Sequence, residues 1–269
     1  MIPEFIQSRQ NPRVQNLARL HERAGRETQG RFLVEGLREL ERALSRPGTI
    51  EEVYFCPDHF RGDEANVILD RAAAIGITVC HLAAHAFEKI SLREGPDGLI
   101  GVAKAWKLTL EELPLPANPL LLLLERIEKP GNLGALLRSA DAAGAHGVIV
   151  CDPVTDLFNP NVVRNSQGSL FSLPIVVAES AAALAFLRQR KIAVVATTPD
   201  TDHDYWEMNL CGPVALALGS EKDGLTKFWL DAADHRARIP MAGLADSLNV
   251  SAAAAIALYE AVRQRRMIK

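Results

Sequence analysis

Several hallmarks of specialised proteins are missing from this sequence, and each absence removes a class. Its four cysteines, Cys56, Cys80, Cys151 and Cys211, are widely scattered with no C-x-x-C pair. That argues against a disulfide framework and a zinc ribbon and suits a reducing compartment, so the cysteines are read as small buried hydrophobes. No apolar run approaches the ~20 residues needed to cross a bilayer, and the first residues, Met1-Ile2-Pro3-Glu4-Phe5, lack a basic patch followed by an apolar signal segment. A cytoplasmic protein with no membrane attachment is expected. Formal net charge is only −3, so any affinity for nucleic acid must come from local asymmetry. No G-x-G-x-x-G follows a strand-like segment and no G-x-x-x-x-G-K-[ST] occurs. A nicotinamide dehydrogenase, a conventional Rossmann methyltransferase and a P-loop enzyme therefore all lack the loop they need. His81 and His85 have i, i+4 spacing but no H-E-x-x-H pattern and no evident third ligand, so no metal is expected.

What is present is enough chain, 269 residues with 48% hydrophobic content, to build two medium domains. From Arg9 to Arg46 the positive charge is almost all arginine, interleaved with Glu22, Glu27, Glu35, Glu39 and Glu41. This is either a solvated helix face or a phosphate-contacting surface, for which Arg9, Arg13, Arg31 and Arg38 are candidates. Strand-like runs (FLVEG, VYFCP, ITVCHL, GLIGVAKAW) then alternate with helical ones, the pattern of a small α/β domain over residues 1–107. Pro114, Pro116 and Pro119 punctuate a polar stretch that disfavours a continuing helix or central strand, and a linker is placed at 108–118. The alternation restarts over 119–269 with PLLLLLERI, GVIVCD, LPIVVAE, IAVVATT, PVALALGSE and HRARIPM, and ends in a long helix from about Ser247. Strands this apolar belong in a parallel sheet covered by helices on both faces.

Glycine and polar residues gather where these strands end, which is where open α/β sheets bind ligands. After the first strand, Pro130-Gly131 makes a turn and Asn132 is placed to cap a helix from about Asn132 to Ala143 that carries Arg138. After PVALALG come Ser220-Glu221-Lys222-Asp223-Gly224, an acidic residue set between glycines. The third junction is Ile239-Pro240-Met241 followed by Asp246-Ser247-Leu248-Asn249-Val250-Ser251. There Ser247 or Asn249 would serve as an N-cap, although one turn holds more polar residues than capping needs. Taken singly, each junction also reads as an ordinary strand exit or helix start.

In order and spacing the three junctions resemble the signature motifs of the SpoU, or TrmH-like, branch of the SPOUT methyltransferases. The matching segments are N-L-G-A-L-L-R-S-A-D-A-A-G at Asn132–Gly144, L-G-S-E-K-D-G-L at Leu218–Leu225, and I-P-M with S-L-N-V-S-A-A-A-A-I-A-L-Y-E at Ile239–Glu260. The stretches Asn11-Pro12-Arg13-Val14 and Gly30-Arg31-Phe32-Leu33-Val34-Glu35-Gly36 look like the ribosomal-protein-related substrate-binding domain of the two-domain ribosomal RNA members. The resemblance implies an α/β chain whose C-terminal parallel-sheet methyltransferase domain carries a trefoil knot. It also implies S-adenosylmethionine as methyl donor and a pocket completed across a homodimer. The reaction would be 2′-O-methylation of ribose, with 23S ribosomal RNA favoured over transfer RNA because the N-terminal domain is present; a catalytically inactive RNA-binding member is a further alternative. Carried over by motif position, Arg138, Asn132, Glu221, Ser247 and Asn249 are catalytic candidates, and Leu218, Gly219, Ile239, Met241 and Leu248 should line the cofactor. A guanidinium pKa above about 12 sits badly with Arg138 as a general base. The implied role is therefore either clamping the target phosphate and polarising the hydroxyl, or losing a proton in a specially arranged site.

Overall fold

A computed structural model describes residues 3–267. The chain divides into two compact units, one running to Trp106 and taking in Asp156–Ser172, the other made of Lys107–Thr155 and the chain from Leu173 onward. Residues 156–172, which the sequence pattern leaves inside the second domain, are thus grouped with the first unit. No helix among the described residues is long and apolar enough to cross a membrane.

The first unit runs β1 (Glu4–Ile6), α1 (Pro12–Ala18), α2 (Arg23–Gln29), β2 (Arg31–Glu35), α3 (Leu37–Leu44), β3 (Ile50–Phe55), α4 (Glu64–Ala74), β4 (Thr78–Leu82), α5 (Ala84–Ile90) and β5 (Leu99–Lys104). Its sheet has the order β1-β4-β3-β5-β2, parallel across β1, β4 and β3 and antiparallel where β5 meets β3 and β2. α1 begins as its sequence directs: Asn11 Oδ1 accepts the Arg13 N–H at 2.9 Å and Pro12 occupies the first turn. The short edge strand β1 carries too few residues for a periodic signal and was not expected from the sequence. Val14, Leu17, Leu33, Tyr54, Leu82, Phe87 and Ile100 are buried in one core cluster of this unit. Phe158, from the 156–172 segment, stacks on Phe32 with ring centroids 4.5 Å apart and meets Trp106 edge-on at 4.9 Å. Arg26 is only 5% exposed; its Nε donates to Asp156 at 2.8 Å and its Nη1 to the Leu20 and His21 carbonyls. A charge this buried persists only when paired and hydrogen-bonded, as here.

The chain continues through β6 (Leu120–Glu125), α6 (Pro130–Ala142), β7 (Gly147–Cys151), α7 (Pro160–Asn165), α8 (Ser169–Ser172), β8 (Ile175–Ala178), α9 (Ser180–Gln189), β9 (Ala193–Thr197), β10 (Val214–Leu218), α10 (Lys227–Ala232), β11 (His235–Ala237) and α11 (Val250–Met267). α7 and α8 are two short helices rather than one, because Gln167 and Gly168 between them both take positive φ, 48° and 88°. The second unit's sheet, β11-β9-β10-β6-β7-β8, is parallel throughout. Every residue of β6, β7 and β10 is buried, the signature of strands covered on both faces. Trp229 of α10, fully buried, anchors one face and donates its indole N–H to Ser180 Oγ at 2.9 Å.

Candidate active site

Strands β6, β9 and β10 end on the same side of the parallel sheet, and the chain leaving them walls a cavity of about 560 Å³. That is the size and position expected of a small-molecule site in an open α/β sheet. Leu218, Gly219, Ile239, Met241 and Leu248 all line it, as do Asn132, Glu221, Ser247 and Asn249. The sequence reading missed Lys129, Thr197 and Thr198 on the same wall. The threonine pair sits where β9 ends, and that position beside an apolar run was the available signal.

The loop after β10 is shaped by its glycines. Ser220 and Gly224 exchange backbone hydrogen bonds of 3.1 and 3.0 Å, and Gly224 holds φ +68°. A Cβ on Gly219 would lie 2.0–2.1 Å from the backbone of Gly224 and Leu225. The requirement for glycine at 219 therefore comes first from the loop closing on itself. Glu125, a buried carboxylate at the end of β6, ties down the far side by accepting the Thr226 N–H and hydroxyl, both at 2.7 Å.

Three segments far apart in sequence are joined by one polar chain. Glu221 accepts from Asn132 Nδ2 at 2.6 Å and from the backbone N–H groups of Glu128 and Lys129 at 3.2 and 3.4 Å. Asn132 Oδ1 in turn accepts from Asn249 Nδ2 at 3.2 Å. Burial alone would raise the Glu221 carboxyl, but the bonds from Asn132 and from the backbone outweigh it and hold the group below its ordinary value. Asn132 is not a cap: α6 starts at Pro130, two residues earlier than expected, and the Asn132 side chain is turned to Glu221. Asn249 performs both roles, its Oδ1 accepting the Ser251 N–H at 2.9 Å at the start of α11 while its Nδ2 reaches Asn132. Ser247 lines the cavity, with a long 3.5 Å contact to Asp246.

Arg138 is elsewhere. It lies on α6, about two turns from Asn132, exposed and off the cavity wall. Among the described residues no hydrogen bond or ion pair holds its guanidinium. The four candidate arginines of the first unit, by contrast, are each engaged by a neighbouring side chain. Arg9 bonds Glu88 at 2.9 Å, Arg13 bonds Glu4 and Glu52 at 2.6 and 3.2 Å, Arg31 meets Glu51 at 2.7 Å, and Arg38 donates to Gln167 at 2.8 Å. Each remains at least part-exposed.

Comparison with known proteins identifies the family. Residues 119–259 match the SpoU rRNA methylase family. The chain belongs to that family. Residues 11–101 of this SpoU protein match the MRM3-like substrate binding domain. It is 34% identical over 255 residues to the 23S rRNA (uridine(2479)-2′-O)-methyltransferase of Streptomyces viridochromogenes, covering 92% of this chain and 88% of that protein. Among solved structures it resembles an RNA 2′-O ribose methyltransferase, with a TM-score of 0.85, 45% identity and coverage of 97% and 99% of the two chains. It is also similar to an AdoMet-bound rRNA methyltransferase from Sinorhizobium meliloti, with a TM-score of 0.88, 31% identity and 97% coverage of both chains.

Proposed function

We propose that this chain transfers a methyl group from S-adenosylmethionine to a ribose 2′-hydroxyl of 23S ribosomal RNA. The observation that carries this reading is the cavity at the ends of β6, β9 and β10, whose wall holds all five residues expected to meet the cofactor. Its lining fits the donor: Leu218, Ile239 and Leu248 offer an apolar bed for a nucleobase, and Asp223 and Asp246 supply negative charge for the cationic end. Bound there, S-adenosylmethionine supplies an already activated methyl group on a sulfonium.

The protein's own task is to align the acceptor and manage the hydroxyl proton. Asn132, Glu221 and Asn249 hold the three loops in register through their shared hydrogen bonds, and Ser247 sits beside them to orient the ribose. Arg138 binds the target phosphate and polarises the hydroxyl, a role open to a guanidinium that stays charged. Its exposed position away from its own chain's cavity supports a homodimer in which the site is completed across the interface. We further assign the trefoil knot to the chain around this cavity, substrate RNA binding to residues 1–107, a linker to 108–118, methyl transfer to 119–269, and the cytosol as its location.

The test is methyl transfer from labelled S-adenosylmethionine to a 23S ribosomal RNA transcript, followed by mapping of the 2′-O-methyl position. Arg138→Ala should abolish transfer while calorimetry still shows cofactor binding. Near-normal turnover in that variant refutes the assignment of Arg138. A wild-type chain that methylates no ribosomal RNA refutes the function itself.

A further inference from the structure

The first unit carries an aromatic row unrelated to the methyl-transfer cavity. Phe5 on β1, His81 on β4 and Phe55 on β3 are directly opposite one another in adjacent parallel strands. Their rings form a column: Phe5 and His81 lie 4.5 Å apart, and His81 and Phe55 lie 5.0 Å apart and within 13° of parallel. Phe60, in the segment just after β3, extends the row at 6.5 Å from Phe55. Phe5 closes the column on an edge strand of the sheet and is 49% exposed. At the other end, Phe60 enters the wall of a second cavity of about 400 Å³.

The charges around that cavity discriminate between ligands. Arg61 and Arg93 face it, but so do Asp58, Glu88 and Glu94. Arg9 neutralises Glu88, and Asp97 pairs with Arg93 at 2.5 Å. A phosphate would meet more repulsion than attraction, whereas a nucleobase offers N–H donors to carboxylates and carbonyl acceptors to a guanidinium. His59 and Arg93 on the cavity wall each keep one nitrogen, Nε2 and Nε, buried beneath it without a hydrogen-bond partner.

We infer that the Phe5–His81–Phe55–Phe60 row and the adjoining cavity form a base-recognition platform for unpaired nucleotides of the RNA substrate, stacking on Phe5 and reading a base edge beside Phe60. The inference rests on the RNA methyltransferase reading and adds how the first unit recognises RNA. Aromatic rings bind single-stranded RNA in this manner because every base has a stackable face.

The experiment measures affinity of the full-length protein for a 23S ribosomal RNA transcript, at fixed salt, with S-adenosylmethionine affinity and thermal unfolding measured in parallel. Phe5→Ala should weaken RNA binding on the order of ten-fold while cofactor affinity is unchanged. Phe5→Trp, which keeps a ring at the column's end, should retain binding, and Glu94→Gln should alter preference among transcripts differing in one unpaired base. Undiminished RNA binding in Phe5→Ala overturns the inference and leaves the enzymatic reading intact. Loss of self-association in Phe5→Ala with RNA binding unchanged also overturns it, in favour of a second copy on this face. A wild-type chain with no affinity for the transcript overturns both.

Discussion

Removing Asn132 isolates the physical basis of the polar chain that joins the three motif segments. Asn132→Ala deletes the 2.6 Å bond to Glu221 and the 3.2 Å bond from Asn249, but leaves Glu221 its two backbone donors and Asn249 its capping contact to Ser251. A hydrogen bond to a charged group contributes about 1.5–3 kcal/mol when buried; Asn132 and Glu221 are only part-buried, so about 1 kcal/mol is appropriate for that bond and about 0.5 for the longer neutral one. The expected loss is about 1.5 kcal/mol of unfolding free energy, roughly a ten-fold change in the folding equilibrium. The pH dependence identifies its source. Because the Glu221 carboxyl is held below its ordinary value in the folded protein, its contribution is present above the unfolded-state pKa and disappears as pH falls through the folded one. Urea unfolding of wild type and variant should therefore differ most at pH 6–7, and the difference should shrink toward the roughly 0.5 kcal/mol of the neutral Asn249 bond as pH falls below the ordinary carboxylate range. S-adenosylmethionine affinity should fall together with stability at neutral pH. A difference that stays constant from pH 7 to pH 4 would show that Asn132 does not act through the Glu221 charge, and a difference under about 0.3 kcal/mol would show that the chain of bonds holds nothing.

Gly219→Ala must displace the Gly224–Leu225 backbone, costing about 1–3 kcal/mol and reducing cofactor binding by calorimetry more than any other single methyl added to the second unit. Trp229→Ala removes the largest fully buried side chain and should cost about 3–5 kcal/mol in urea unfolding, with the folded fraction still binding S-adenosylmethionine; a loss below 1 kcal/mol would refute its place in the core. Burial pushes the Cys151 thiol up to about 12, so it should resist a thiol reagent at pH 8 in the native state, while part-exposed Cys211 reacts first.

Much of the second unit was legible because its signals are local. Five consecutive leucines in β6 and the uniformly apolar β7 and β10 announce strands buried on both faces, and hydrophobic burial acts on such segments wherever they occur. The start of α6 is not legible in the sequence because Asn132 has the chemistry of a cap, yet Pro130 already occupies the first turn and Glu221 offers Asn132 a charged partner instead. β1 was invisible because three residues carry no period, and the break between α7 and α8 because positive φ at a non-glycine residue such as Gln167 is uncommon.

The sequence by itself determined the classes of element, the parallel character of the second sheet, and the residue types that gather at strand ends. Those properties follow from periodicity and side-chain chemistry within a few positions. Tertiary structure alone decided that Asn132, Glu221 and Asn249 share one hydrogen-bonded chain although 89 and 117 positions separate Asn132 from the other two. It alone decided that Arg138 stays off the wall of that cavity and that Phe5, His81 and Phe55 meet in a row. Such contacts depend on strand order and register, which set distances across the sheet that no separation along the chain encodes.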